Sequence, residues 1–328
     1  MTLRLPPFEY LAPATLEEAV AILSDPERRA TIIAGGTDLV PKMKRGQTTP
    51  TTLVSLAAVD RMNGIRVDGD GNCVIGASTT LHEIAESPLV PGVVSDAARA
   101  VASPQIRNTA TIGGNLCLDT RCNYIDQTDA WRQASGYCLK DGGDTCWVAP
   151  RGDICWAISS TDLAPVALAL GGAIRLASGR AERMVSVEDF YLNDGMDHLS
   201  KQPDEILVEL VLPARVGRAA YEKLRRRGAI DFPLLGVAAA IELDDGGTVI
   251  SARIAIGGIA SAPLRATLAE KHIVGRKLTG EVIKEAAKLG AHPFRPQDNT
   301  DTGSRYRKWM VPVFIAKAIE SCSQEEPR

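Results

Sequence analysis

Four cysteines, Cys122, Cys138, Cys146 and Cys155, fall in one short stretch of a 328-residue chain, and residues 117–160 around them show neither helical nor alternating hydrophobic periodicity. A segment that long without a pattern supplies no core helix or strand, so the fold must be closed by the regions on either side of it. Long irregular insertions in compact proteins are usually functional. The gaps of fifteen, seven and eight residues match neither the paired knuckles of structural zinc sites nor the cysteine run of bacterial ferredoxins. The spacing alone names no metal, and the count of four suits a [4Fe-4S] centre, a [2Fe-2S] centre or zinc. Trp131, Trp147 and Trp156, with Tyr124 and Tyr137, share the stretch. They predict a thiolate centre wrapped in indoles and shielded from water.

A chain of 328 residues exceeds the size at which one hydrophobic core keeps growing, so two or three subdomains are expected. With 45% hydrophobic residues and a formal net charge of -3, nothing marks it as a nucleic-acid binder. The opening residues lack the apolar core of a signal peptide, and no uncharged run approaches the ~20 residues that span a bilayer. These features predict a cytoplasmic protein without membrane contact. In a reducing compartment the seven cysteines are expected to be free thiols or ligands rather than disulfides. Cys73 reads as a small buried hydrophobe and Cys322 as an exposed tail thiol. His82, His198, His272 and His292 are scattered and are assigned to no metal.

Before the cysteines, Thr15 and Glu18 form a capping box ahead of Leu16, Ala19, Val20 and Leu23, which predicts a helix. Strands are read at residues 31–34, 52–56 and 73–77, with helices near 81–86 and 91–101. Two glycine turns stand out, Gly35-Gly36-Thr37-Asp38 and Thr111-Ile112-Gly113-Gly114-Asn115. Glycine permits positive φ and close backbone approach, so successive N–H groups there could face an anion. After the cysteines, Thr161-Asp162-Leu163-Ala164-Pro165 leads into a buried helix, with Asp162 a candidate cap, and strands follow at 173–176 and 206–212. From Tyr221, strands at 221–226, 237–242 and 248–256 precede helices at 266–273, 281–289 and 304–321, which indicates a separate layer. Arg225, Arg226 and Arg227 read as a solvated strand end. The fold class is α+β, divided at 1–56, 57–218 and 219–328, with an insertion at 118–160 inside the second part.

The segments Ile32-Ile33-Ala34-Gly35-Gly36-Thr37-Asp38-Leu39 and Thr111-Ile112-Gly113-Gly114-Asn115 resemble the paired flavin-binding signatures of the FAD subunits of molybdenum hydroxylases. That family includes xanthine dehydrogenase and carbon monoxide dehydrogenase. The Thr161 to Pro165 segment is similar to one that closely follows the Gly-Gly-Asn signature in most members, whereas here 46 residues separate Asn115 from Asp162. All four clustered cysteines lie in that gap. This departure resembles the FAD subunits of 4-hydroxybenzoyl-CoA reductases, which carry a [4Fe-4S] cluster in an inserted loop.

The resemblance implies a two-subdomain FAD-binding region of the PCMH/vanillyl-alcohol-oxidase-like kind, an inserted iron-sulfur loop and a C-terminal α+β domain. By that resemblance Ile32, Ile33, Ala34, Gly35, Gly36, Thr37, Asp38, Leu39, Val101, Thr111, Ile112, Gly113, Gly114 and Asn115 line the FAD. Asp162 would reach its ribityl or ribose hydroxyls, while Leu207 and Lys223 would lie near the isoalloxazine ring, where a cation stabilises anionic reduced flavin. Leu207 reads equally well as a core strand residue. Cys122, Cys138, Cys146 and Cys155 would hold the cluster. Cys117 is the rival ligand, set apart by adjoining the second flavin segment. No Rossmann glycine fingerprint is correctly placed, so nicotinamide binding is unsupported.

The implied partners are a molybdopterin-binding large subunit and a [2Fe-2S] small subunit, assembled as a dimer of heterotrimers. Ferredoxin would be the electron donor. The implied reaction is removal of the phenolic hydroxyl of 4-hydroxybenzoyl-CoA, with electrons passing from ferredoxin through [4Fe-4S] and FAD toward molybdenum. Two alternatives remain open: an ordinary hydroxylase subunit delivering electrons outward, its loop holding zinc or nothing, and a zinc-stapled scaffold without catalysis.

Overall fold

The computed structural model describes residues 4–300 and 302–323, so the expected outer ends at residues 1–3 and 324–328 lie outside the described residues. Three sheets organise the chain in sequence order. The first is a parallel ribbon of β1 (Glu9–Leu11), β2 (Ala30–Ile33) and β3 (Thr52–Ser55), in the order β1-β3-β2. Parallel pairing needs crossovers, and helix Leu16–Leu23 supplies the first. Thr15 starts that helix as read, its hydroxyl accepting from Glu18 N–H, while Glu18 reaches back to Ala14 N–H at 2.9 Å.

The second sheet comprises β4 (Ile65–Val67), β5 (Cys73–Gly76), β6 (Ala173–Ala177), β7 (Glu182–Ser186) and β8 (Ile206–Leu212). Its order is β4-β5-β8-β6-β7, all antiparallel. β8 is central and apolar on both faces except for Glu209, a buried carboxylate held by Arg66 and Arg175, each at 2.7 Å. The first two sheets share one apolar core that runs from Leu16 and Val54 to Leu210. The third sheet, β9 (Arg218–Leu224), β10 (Leu235–Leu243), β11 (Val249–Gly257) and β12 (Leu264–Arg265), packs against helices Thr267–Ile273, Gly280–Ala291 and Ser304–Ser323 around a second core. Strands followed by helices thus form an α+β layer, as the pattern predicts.

Several short elements escape the sequence pattern. Helix Leu39–Lys44 follows the first glycine turn, and helix Ile112–Leu116 contains Gly113 and Gly114, so the second glycine pair lies inside a helix and not in a turn. Its cap is Thr111, whose hydroxyl accepts from Gly114 N–H. The cysteine stretch is also less bare than its sequence indicates, with helix Asp129–Ala134, one turn of 3-10 helix at Leu139–Asp141 and a bridge between Arg121 and Ile158. β9 ends at Leu224, so Arg225 to Arg227 enter a loop, where the N–H groups of Arg226 and Arg227 both donate to Asp231 at 3.0 Å. Cys322 is not an exposed tail thiol: it is 1% exposed inside the C-terminal core, because helix Ser304–Ser323 packs across β9 and β10. Among the described residues no helix is long and apolar enough to cross a membrane.

Candidate functional site

A cleft of ≈ 680 Å³, within the size range of small-molecule sites, runs between the first two sheets. Its floor is made where the two glycine segments meet. A Cβ on Gly35 would lie 1.9 Å from the carbonyl oxygen of Thr109, and one on Gly113 would lie 2.8 Å from Ala77 Cβ. Any larger residue would push these segments apart, so both glycines serve close approach, and Gly36 adds a left-handed φ of 67°. Ile32, Ile33, Ala34, Gly35, Gly36, Thr37, Asp38, Leu39, Val101, Thr111, Gly113, Gly114, Asn115 and Leu207 all line this cleft.

Three expected residues do not. Ile112 is turned wholly into the core. Asp162 and Lys223 form a buried ion pair at 3.0 Å behind the wall, with Tyr221 donating to Asp162 at 2.8 Å and Lys223 donating to Ala100 C=O at 2.9 Å. Burial pushes the Asp162 carboxyl up, against the pull of the Lys223 ammonium. The pair is spent on joining β9 to the helix Leu163–Ala169, and Asp162 makes no side-chain cap there. Neither side chain borders the cleft.

The expectation that both glycine pairs offer N–H groups to phosphate is corrected in the same way. Gly113 N–H donates to Ala77 C=O at 2.9 Å and Gly114 N–H to Thr111 Oγ1 at 3.1 Å, so the second pair is already satisfied. The N–H groups of Gly35, Gly36, Thr37 and Asp38 meet no acceptor among the described residues. Four successive donors left open beside a cleft form an anion-binding concavity. Gln47 adds a buried Oε1 without a partner on the same wall. The four open N–H groups and the cleft's size fit a dinucleotide with a pyrophosphate bridge.

Lys42, Asp119 and Lys140, with no role in the sequence reading, complete the wall, and Arg121 packs beside it. Lys42 pairs with Asp119 and, at 3.8 Å, with Asp38; Arg121 pairs with Asp38 and lies 3.9 Å over the Phe232 ring; Lys140 pairs with Asp119 at 2.7 Å. Burial pushes the Asp119 carboxyl up, but the ammonium groups of Lys140 and Lys42 outweigh it and hold the group at about 2. The four-residue spacing of Asp38 and Lys42 was a legible helical signal. Nothing in the sequence pointed to Lys140.

Beside the cleft, Cys122, Cys138, Cys146 and Cys155 line one small cavity together with Tyr124, Ile125, Leu139, Lys140, Trp147, Val148 and Ala157. Cys117 is absent from it and lines the cleft instead. The insertion is pinned on three sides. Gln47 donates to Ile125 C=O at 2.9 Å, Asn123 N–H to Asn299 C=O at 3.0 Å and Gly195 N–H to Cys155 C=O at 2.8 Å. Burial pushes the Cys122 thiol up to about 12, against a hydrogen bond from the Tyr124 backbone, and likewise pushes Cys155 to about 11. Left alone, these groups stay protonated at neutral pH.

The expected indole shell is only partial. Trp147 lines the cavity, but it and Trp131 are 40% and 42% exposed, and Cys138 is half-buried, because the insertion is a surface loop and cannot enclose its own centre. Among the described residues no three His, Cys, Asp or Glu side chains are grouped to hold a single metal ion. Four thiols facing one space are the donor type that iron-sulfur groups take.

A glycine-floored cleft with an open nest of backbone donors, joined to a strand-and-helix C-terminal layer, defines a flavoprotein of the two-part FAD-binding class. The chain matches the FAD binding domain in molybdopterin dehydrogenase over residues 6–215 and the CO dehydrogenase flavoprotein C-terminal domain over residues 219–322. It therefore belongs to the FAD-binding subunits of the molybdenum hydroxylase family. It is 27% identical to the carbon monoxide dehydrogenase medium chain of Hydrogenophaga pseudoflava, covering 96% of this chain and 97% of that one. It is 30% identical to the nicotinate dehydrogenase FAD-subunit of Eubacterium barkeri, covering 84% and 83%. The solved structure of carbon monoxide dehydrogenase from Hydrogenophaga pseudoflava superposes with a TM-score of 0.80 at 28% identity, over 97% of this chain and 98% of that one. The chain is thus an oxidoreductase subunit of dehydrogenase type that carries an FAD-binding domain.

Proposed function

We propose that this chain is the FAD- and [4Fe-4S]-carrying subunit of a molybdenum enzyme that reductively dehydroxylates 4-hydroxybenzoyl-CoA to benzoyl-CoA. One observation carries the reading: four cysteines from an insertion face one cavity that shares its wall, Ile125 and Lys140, with the flavin cleft. In this reading Gly35, Gly36, Thr37 and Asp38 receive the pyrophosphate. Ile32, Ile33, Ala34, Leu39, Val101, Thr111, Gly113, Gly114, Asn115 and Leu207 enclose the rest of FAD, and Cys122, Cys138, Cys146 and Cys155 ligate the cluster. When bound, the two groups supply a relay for electrons from a ferredoxin toward a [2Fe-2S] small subunit and a molybdopterin-binding large subunit, in a dimer of heterotrimers. The residues themselves hold these groups close together and keep the deeper thiols from water. The chain's place in this reading is the cytoplasm.

Iron and acid-labile sulfide analysis, with an EPR spectrum of the dithionite-reduced complex, tests the cluster; absence of iron sinks it. Cys138→Ser loses the cluster and Cys117→Ser keeps it, and the reverse pattern overturns the ligand set. Reduced ferredoxin with 4-hydroxybenzoyl-CoA tests the reaction. A second reading, an outward-flowing hydroxylase subunit of xanthine or carbon monoxide dehydrogenase type with a zinc-bearing or empty loop, draws on the relatives, which are named as dehydrogenases. It predicts an iron-free subunit that still binds flavin.

A further inference from the structure

Lys140 lies in the 3-10 turn Leu139–Asp141, two residues after Cys138, with its side chain 11% exposed. Its ammonium donates to Asp119 Oδ1 at 2.7 Å, Thr120 Oγ1 at 2.6 Å and the Gly195 carbonyl at 2.6 Å. An ammonium has three N–H donors, so all are engaged and the charge is fixed in place. Among the described residues, Lys140 and Ile125 alone border both the cysteine cavity and the flavin cleft. Ile125 is apolar, which leaves Lys140 as the one charged group common to the two. Around it, Lys42 also pairs with Asp119 and with Asp38, and Arg121 pairs with Asp38.

We propose that Lys140 is a positioning residue shared by the two centres, a fixed positive charge that stabilises the electron-rich form of each. The proposal deepens the reading of the cavity as an iron-sulfur site and rests on it. A cation held beside a redox group favours the state that has gained an electron, and it does so most where water is excluded. One lysine touching two sites moves both in the same direction. Asp119 opposes Lys140 within the same wall, so removing either charge shifts the pair in opposite senses.

The test is redox potentiometry of the whole complex, following the cluster by EPR and the flavin by its visible absorbance, after iron and flavin contents are measured. Lys140→Met lowers both midpoint potentials, each by about tenfold in its one-electron equilibrium, or about 59 mV. Lys140→Arg keeps both near the parent, and Asp119→Asn raises both. Unchanged potentials in a Lys140→Met complex that retains its iron and flavin, or a shift in one centre alone, overturn the proposal. If Lys140→Met fails to assemble, Asp119→Asn decides, and no upward shift overturns it. A parent complex without iron sinks the cluster reading instead, and the flavin shift in Lys140→Met then reports on Lys140 by itself.

Discussion

The flavin cleft and the cysteine cavity lie against each other and share a wall, yet they are built by opposite means. The cleft is finished by folding. Its floor is backbone on backbone, where Gly35 meets Thr109 and Gly113 meets Ala77, and both walls rest on the core of the first two sheets. The cavity is furnished by an irregular insertion whose own apolar cluster is small, Cys122, Cys155 and Ala157 with a few neighbours, and which is held mostly by polar contacts to surrounding segments. Its deeper thiols are neutral when nothing is bound, so a metal group must displace their protons, and binding and ordering are linked. A preformed site tolerates loss of its ligand; a site completed by its ligand does not.

The largest effect that would break this comparison comes from the cleft floor. Gly35→Val drives a side chain into the Thr109 carbonyl and should cost more than about 4 kcal/mol in urea unfolding, with loss of flavin. Gly114→Ala, whose new Cβ meets only Thr111 Oγ1 at 3.2 Å, should stay within about 1 kcal/mol. Equal effects would show that close approach does not hold the floor. Next in size is Asp162→Asn, which strands the buried ammonium of Lys223 and should cost about 3 kcal/mol. If it weakens flavin binding while leaving the unfolding midpoint alone, Asp162 belongs to the cofactor and not to the scaffold.

The cavity should answer differently. Cys122→Ser replaces one buried thiol in a cluster without a large core, so in the metal-free protein its cost should be about 1 kcal/mol, while iron content falls and flavin occupancy is kept. Limited proteolysis should then cut within residues 118–160 faster than in the iron-loaded parent. Equal cleavage of the two would show that the insertion is as preformed as the cleft.

How much of this was legible follows the same division. Glycine signatures, a capping threonine and apolar periodicity are local, so the inner strands and most of the cleft could be read in order along the chain, while the short or exposed edge strands β1, β4, β7 and β12 could not. Ile112 and Asp162 sit inside or beside the right motifs, but the motif does not reveal which way a side chain turns, and the partner that claims Asp162, Lys223, is distant in sequence. Gly113 and Gly114 looked like a turn because glycine disfavours helices, yet Thr111 caps a short helix through them. Lys140 had no signal, since its place depends on how an aperiodic loop folds back on Asp119, Thr120 and Gly195.

The smallest effect belongs to the shared wall. Asp119, held at about 2, lies below its ordinary value of 3.8, so it is charged in the folded chain at a pH where the unfolded chain has taken up a proton. The stability it contributes is therefore present above about pH 4 and is lost as the pH falls toward 2. Its side chain keeps 39% of its surface in water, which screens both ammonium groups and limits the contribution to less than about 1 kcal/mol. Urea unfolding of the parent and Asp119→Asn should differ by that amount at pH 6 and converge near pH 2. A gap that persists in acid would mean that Asp119 holds the wall by packing, and that its charge matters only to the groups on either side.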